Sequence, residues 1–315
     1  MAVKIAINGF GRIGRSVLRV AIDSSELEIV AVNDQADAAT LAHLLQYDSV
    51  HGPLAGVGVA GDDLLVRGRR IRVCREADPG ALPWHRLGVE LAIEATGRFT
   101  WRRDAARHLD AGAGRVVISA PGADADLTVC MGVNEGDYVP SRHRVVSNAS
   151  CTTNCLAPVA KVLLEAVGIV KGQMTTVHTF TNGQALLDRP HPDLRRARAV
   201  GATMIPTSTG AAKAVALVLP ALEGKLSGMA IRVPAPQVSL IDLVVETAAP
   251  TTAAAVNAAF ARAAAGPLKG ILDFCSAPLV SGDFKGCPAS ATVDAASTRV
   301  VGRNLLKVLA WYDNE

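Results

Sequence analysis

Apolar and polar positions alternate in two styles along this chain. In the first half, short apolar runs of strand length recur between helical stretches. Val3–Asn8 reads as a buried strand, Arg12–Ile22 as a helix, and Glu28–Asn33 as a second strand. The runs Leu91–Ala95 and Val116–Ser119 follow, with a helical stretch around Arg102–Ala111 between them. Strands alternating with helices predict a mostly parallel sheet covered on its faces. Residues 51–90 are richer in Gly, Pro and Arg and read as an irregular insertion with small strands.

The second half has a different rhythm. Residues 152–167 are helical, Gln173–Thr179 is a strand, and 181–209 is a polar, Arg- and Pro-rich surface loop. A loop of that length in a compact domain is usually functional. Thr209–Leu219 is helical, Ala230–Val233 and Val238–Glu246 are strands, Ala253–Ala265 is a helix, and Val300–Ala310 is a last strand. This pattern predicts an α+β unit with a mainly antiparallel sheet. The expected division is residues 1–150 and 151–315. A length of 315 residues suits two domains at roughly 150 residues each.

Composition narrows the function. Half of the residues are hydrophobic and 19% are charged, which suits a large core and not disorder. The net charge of +3 is too small to imply nucleic acid or an anionic membrane as a main partner. No apolar run is long enough to span a bilayer, and the chain starts directly on a strand, so a cytoplasmic location is expected. Cys74, Cys130, Cys151, Cys155, Cys275 and Cys287 are expected as reduced thiols. Their spacing, with no C-x-x-C pair, argues against a metal site.

The first chemical signal is Gly9-Phe10-Gly11-Arg12-Ile13-Gly14, which joins the first strand to the first helix. Gly-x-Gly-x-x-Gly there permits a tight turn, close backbone approach to a pyrophosphate, and tight packing of helix on strand. The helix start offers N–H groups and a positive dipole end to the anion. Asp34 ends the second strand, twenty residues after Gly14, where a carboxylate can accept hydrogen bonds from ribose hydroxyls. Register and spacing together predict a Rossmann-type dinucleotide-binding domain.

The second signal is a thiol. Ser147-Asn148-Ala149-Ser150-Cys151-Thr152-Thr153-Asn154-Cys155 opens a helix and places Cys151 in its first turn. The dipole and N–H groups there favour a thiolate. Ser150 and Thr152 read either as helix caps or as oxyanion ligands, and Cys155 as a core thiol. A nucleophilic thiol needs a base. His178, at the end of a strand and next to the polar loop, is the candidate.

The third signal is cationic. The run Arg195-Arg196-Ala197-Arg198, the helix start Thr209-Gly210, Thr181 and Arg232 together suggest a phosphorylated substrate. The arginines of that run read equally as a solvated loop or a subunit contact.

These words, with Tyr47-Asp-Ser-Val-His-Gly52, Ala95-Thr-Gly-Arg-Phe99 and Trp311-Tyr-Asp-Asn-Glu315, run through nearly the whole chain. The chain resembles the phosphorylating glyceraldehyde-3-phosphate dehydrogenase family. The run Ala149–Leu156 is specific for that family and its erythrose-4-phosphate-oxidising relatives. The resemblance implies oxidation of glyceraldehyde 3-phosphate to 1,3-bisphosphoglycerate, in glycolysis or gluconeogenesis, through a Cys151 thioester with His178 taking the proton. It implies that Thr181 and Arg232 hold the substrate phosphate. Ser150, Thr152, Thr209, Gly210 and Arg196 would hold inorganic phosphate. Arg12, Ile13, Asp34, Ser119 and Asn314 would hold NAD, with Asn314 on the nicotinamide carboxamide. It also implies a homotetramer joined partly through the loop 181–209.

Two alternatives accompany this reading. Arg189 stands where the NAD-specific pattern has Leu, which favours tolerance of NADP, while Asp34 argues the opposite. The family pattern also continues past Glu315 into a helix that packs on the cofactor domain. A chain without it is expected to expose an apolar groove. If turnover were lost in consequence, a non-catalytic nucleotide- or RNA-binding protein is the second expectation.

Overall fold

The structure is a computed structural model that describes residues 2–315. Two compact units emerge. One holds the residues up to Val129, Asp137–Ala149 and Glu315, and the other holds Cys130–Gly136 and Ser150–Asn314.

In the first unit the chain runs β1 (Val3–Asn8), α1 (Arg12–Ala21), β2 (Leu27–Asn33), α2 (Ala38–Gln46), and the two-residue pair β3 (Tyr47–Asp48) and β4 (Gly52–Pro53). It continues through β5 (Val57–Ala60), β6 (Asp63–Val66), β7 (Arg69–Cys74), α3 (Trp84–Leu87) and β8 (Leu91–Glu94). The short helices α4 (Arg102–Ala105) and α5 (Arg107–Asp110) precede β9 (Arg115–Ile118), β10 (Leu127–Thr128) and β11 (Val145–Ser147). One sheet has the order β10-β11-β9-β8-β1-β2-β7-β6-β5. It is parallel from β10 to β7, and β5, β6 and β7 form an antiparallel meander.

Both faces of this sheet are covered, which is why β1 is almost uniformly apolar. Ile5 and Ile7 pack with Leu18 of α1, with Ile22 just past its end, and with Leu41 and Leu45 of α2. Ala6, Ala31 and Ala92 face the other way, onto Trp84 and Val89. Residues 51–90 are more regular than their composition suggests. In β7, Ile71 and Val73 point inward while the arginines point out, and the strand extends the parallel sheet beside β2. The amphipathic α2 carries an Asp37 N-cap, whose side chain accepts from Thr40 N.

The second unit contains α6 (Cys151–Ala166), β12 (Ile169–Thr179), β13 (Ile205–Ser208), α7 (Ala211–Val218), β14 (Leu226–Val233), β15 (Ser239–Thr247), α8 (Ala253–Ala265), β16 (Leu272–Cys275), β17 (Ala291–Val301) and β18 (Leu305–Tyr312). Its sheet order is β13-β14-β12-β15-β18-β17-β16. Four of the neighbouring pairs are antiparallel, while β12–β14 and β16–β17 are parallel. The strict alternation of buried and half-buried positions in β15 and β18 marks a two-faced sheet. The stretch Val300–Ala310 is not one strand. It turns at Gly302, whose φ of +63° suits glycine, and joins the ends of β17 and β18 as a hairpin. The polar stretch 181–209 is irregular up to β13, which forms the edge of the sheet beside β14. Among the described residues, no helix is long and apolar enough to cross a membrane, and no cluster of side chains fits a metal ion.

Candidate active site

In the first unit, the turn after β1 is shaped by its glycines. Gly9 has φ +91°, and a Cβ there would lie 2.6 Å from Thr96 N. A Cβ on Gly14 would lie 2.1 Å from Gly9 O, so helix and turn touch through bare backbone. Gly11 differs, because a Cβ there meets no atom within 4 Å. Two glycines are thus required by the protein's own packing, and the third faces open space, as a turn that admits a ligand would. No side chain caps α1, and its first turn holds no acidic residue. That leaves the helix start suited to an anion. This arrangement fits a dinucleotide.

The expected cofactor residues fall as follows. Asp34 Oδ2 accepts Phe10 N–H at 2.9 Å, so one oxygen ties the glycine turn to the end of β2. Ser119 lies half-buried just past β9, its N–H bonded to Glu94 O at 3.0 Å. Ile13 sits in the first turn of α1. The Arg12 guanidinium is engaged by Asp48 at 2.7 Å and by both carboxylate oxygens of Glu315. These carboxylates hold its proton more firmly than usual, and Asp48 is drawn down to about 2 by backbone N–H bonds and Arg12 despite burial. The guanidinium is thus tied to protein carboxylates, while the Arg12 backbone N–H lies in the first turn of α1. Asn314 belongs to the other unit, where its Oδ1 accepts from Thr179 Oγ1 at 3.0 Å and Ser239 Oγ at 3.4 Å.

The thiol site lies in the second unit. Ser150 caps α6, its Oγ accepting Thr153 N–H at 3.0 Å, and Ala149 before it takes a left-handed φ of +55°. Cys151 is the first helical residue. Its Sγ lies 3.4 Å from His178 Nε2. His178 ends β12 and is held from the far side: Nδ1 lies 2.7 Å from Thr179 O. Arg232, paired with His178 in the parallel register of β12 and β14, sends Nη1 to within 2.5 Å of Nδ1 and 2.9 Å of the same carbonyl. Nδ1 thus faces Thr179 O, which can only accept, and Arg232 Nη1, which can only donate; with Nδ1–H given to Thr179 O, Nε2 is the acceptor facing the thiol. A hydrogen-bond partner on one ring nitrogen sets the tautomer at the other.

The electrostatics correct one expectation. Helix-end N–H groups and Arg232 do favour the thiolate, but burial outweighs them and pushes the Cys151 thiol up. Burial and the neighbouring Arg232 push His178 down to about 4. Both shifts favour thiol and neutral imidazole over the ion pair. Desolvation opposes both charges at once, whereas helix position acts on only one of them.

The cationic residues are partly gathered. Arg196 Nε donates to Thr207 Oγ1 at 2.7 Å; burial loosens the proton of Arg232, and the charge of Arg196 adds to that. Arg232 Nε is buried and has no hydrogen-bond partner. Two guanidiniums that feel each other, one with an orphaned donor, suit an anion. Thr209 Oγ1 accepts Ala211 N–H at 3.2 Å, and Gly210 is the N-cap of α7. Thr181 turns both its N–H and its hydroxyl to Gln184 Oε1. Thr152 Oγ1 lies 2.8 Å from Tyr312 Oη.

Tyr312 was not among the expected site residues. Its hydroxyl bridges Thr152 and Thr176, both at 2.8 Å, and its ring stands edge-on to His178 at 5.9 Å. Its signal in the sequence is a phenol in phase with Leu306, Val308 and Ala310, the inward positions of β18, where a buried hydroxyl needs partners.

A dinucleotide-binding fold and a thiol–imidazole pair in one chain are the parts of a dehydrogenase. Residues 3–102 match the family described as glyceraldehyde 3-phosphate dehydrogenase, NAD binding domain, and residues 150–314 match its C-terminal domain. Proteins named glyceraldehyde-3-phosphate dehydrogenase in Geobacillus stearothermophilus and glyceraldehyde-3-phosphate dehydrogenase 1 in Bacillus subtilis are each 60% identical, over 100% of this chain and 94% of the relative. A glyceraldehyde-3-phosphate dehydrogenase of Streptomyces coelicolor is 54% identical over 100% of this chain and 95% of its own length. The chain belongs to the glyceraldehyde-3-phosphate dehydrogenase family; it is an oxidoreductase with an NAD-binding Rossmann domain and a catalytic domain.

Proposed function

We propose that the protein oxidises glyceraldehyde 3-phosphate with NAD and inorganic phosphate to 1,3-bisphosphoglycerate. The observation that carries this reading is the 3.4 Å contact of Cys151 Sγ with His178 Nε2, backed by Arg232 and Thr179 O. Cys151 Sγ attacks the aldehyde carbon, and the thiol proton passes by way of His178 Nε2 to the carbonyl oxygen, giving a thiohemiacetal. NAD, held at the Gly9–Gly14 turn, would supply the hydride acceptor for that carbon. His178 Nε2 takes the hydroxyl proton in the same step, leaving a thioester on Cys151. Inorganic phosphate then attacks the thioester carbon, the C–S bond breaks, and His178 returns its proton to the sulfur. Splitting the reaction this way preserves the energy of oxidation in the thioester.

Arg232 and Thr181 hold the substrate's phosphate, and the orphaned Arg232 Nε supports that assignment for Arg232. Ser150, Thr152, Thr209, Gly210 and Arg196 hold the attacking phosphate, Thr209 and Gly210 through the start of α7. The Asn314 side chain fixes the nicotinamide carboxamide. In this reading the enzyme works in glycolysis or gluconeogenesis, in the cytoplasm, as a homotetramer; sedimentation equilibrium of the purified protein tests the assembly.

Asp34 makes the cofactor NAD and not NADP, because a carboxylate at the end of β2 repels a 2′-phosphate. The expected result is a kcat/KM for NADP below that for NAD by about a hundredfold, corresponding to roughly 3 kcal/mol. Asp34→Asn keeps an acceptor for Phe10 N–H and removes the charge, so it should narrow the gap about tenfold by improving NADP. Equal kcat/KM values for the two cofactors in the unsubstituted protein would overturn the assignment.

A further inference from the structure

A buried polar network beneath the glycine turn has no part in the chemistry proposed above. Glu94 ends β8 and His108 lies in α5; they are 1% and 0% exposed. Glu94 Oε1 accepts Thr96 N–H at 2.8 Å and also the Thr96 hydroxyl. Oε2 accepts Asn8 Nδ2 at 2.6 Å and lies 3.0 Å from His108 Nε2. On the other side of the ring, Trp84 Nε1 donates to His108 Nδ1 at 2.9 Å.

An indole N–H can only donate. His108 Nδ1 therefore carries no proton. The ring is neutral, and its single proton sits on Nε2 and points at Glu94. The contact is a hydrogen bond to a carboxylate, not an ion pair. Asn8 Nδ2 and His108 Nε2, 3.3 Å apart, are two donors meeting on one oxygen. Four hydrogens converge on two carboxyl oxygens, and only the ionised, acceptor-only state of Glu94 receives them all. Bonds to a charged acceptor are about twice as strong as neutral ones.

The location gives this network a task. Asn8 immediately precedes Gly9, and Thr96 N is the atom that a Cβ on Gly9 would strike. Glu94 thus ties together the two backbone segments that face each other at the turn. Asn8 Oδ1 in turn accepts from Asn33 Nδ2 at 2.7 Å, next to Asp34. The chain of bonds runs under the carboxyl ends of β8, β1 and β2, where the strand order reverses. Open α/β sheets bind ligands at that place.

We propose that Glu94, fixed by His108 and Trp84, is the positioning residue of the dinucleotide turn: it sets the spacing of Gly9 against Thr96 and so the aim of the backbone that meets the cofactor. This rests on NAD binding at Gly9–Gly14.

Glu94→Gln tests it with an isostere. The new NH2 group must face either Thr96 N–H or the Asn8 and His108 donors. His108 has no escape, because moving its proton to Nδ1 sets it against Trp84 N–H. By titration calorimetry, the Kd for NAD should rise at least about tenfold, while kcat at saturating NAD stays within about twofold. Trp84→Phe added to Glu94→Gln frees Nδ1 to take the proton and should recover at least about threefold of the lost affinity. Trp84→Phe alone should give no gain. Nitrogen-15 spectra should find the Nε2–H form of His108 in the unsubstituted protein and the Nδ1–H form in the double variant. Thr96→Val removes the hydroxyl's bond to Glu94 and the one it accepts from Arg98 N–H, and it keeps the Thr96 N–H bond to Glu94, so it should raise Kd about fivefold and decides the matter if Glu94→Gln does not fold. NAD affinity unchanged in Thr96→Val, or an Nδ1–H form of His108 in the unsubstituted protein, would overturn the proposal. Absence of NAD binding by the unsubstituted protein would overturn the reading of the turn as well.

Discussion

Cys151→Ser should lower kcat for glyceraldehyde 3-phosphate by on the order of 10⁴-fold or more, with the Kd for NAD unchanged. The physical reason is the weakness of the available base. His178 is held down to about 4 by burial and by Arg232. A base that weak can accept a proton from a thiol during attack, because sulfur is acidic and highly nucleophilic even as a minor thiolate population. It cannot do so usefully from a serine hydroxyl. Arg232 would still offer its orphaned donor to the substrate phosphate, so aldehyde binding should survive the substitution. The decisive measurement is a stopped-flow trace of NADH formation in the first turnover. The unsubstituted protein should give a burst equal to its active sites, and the serine variant none. A serine variant that retains more than about one per cent of the rate would remove Cys151 from the mechanism and take the thioester with it.

The burial that weakens the base is also what sequence reading handled least well. The glycine fingerprint was legible because its parts are contiguous: a strand, a turn, a helix start, and an acid at the end of the next strand. Strand β1 was legible because its buried stretch Ile5-Ala6-Ile7 is apolar on both faces, as a covered strand requires. In β7 the run Arg-Arg-Ile-Arg-Val-Cys hides its inward residues among arginines, so a strand of the main sheet looked like part of an insertion. Val300–Ala310 looked continuous because the turn between β17 and β18 is short and flanked on both sides by apolar residues. Position at a helix start is local and favoured a thiolate. Burial in the folded chain and the charge of Arg232, which reaches the site from β14, are not local: burial raises the thiol, and both lower the imidazole. The same distance in sequence hid Tyr312, which meets Thr152 across 160 residues. Asp48 and Glu315, far in sequence, bind the guanidinium of Arg12, a residue that the resemblance places at the cofactor.

His178→Asn should reduce kcat/KM by about 10²- to 10⁴-fold, the usual contribution of a positioned general base. It should leave NAD affinity unchanged. The stronger test is the pH profile. In the unsubstituted protein the base must be neutral, so activity should hold from neutral pH downward and fall only as His178 protonates near about 4. An ordinary histidine would impose that fall near 6.5. In His178→Asn no imidazole accepts the thiol proton, and the rate should instead climb with pH as thiolate forms above the usual thiol range. Stability should follow the same group. Because the folded state keeps His178 neutral while the unfolded chain takes up a proton below about 6.5, the stabilising contribution is complete above that value and declines as pH falls towards about 4. The asparagine variant should lack that decline, seen as a shallower dependence of Tm on pH between those limits. An acid limb near 6.5 in the unsubstituted enzyme, or one that persists unchanged in His178→Asn, would assign the proton transfer to another group.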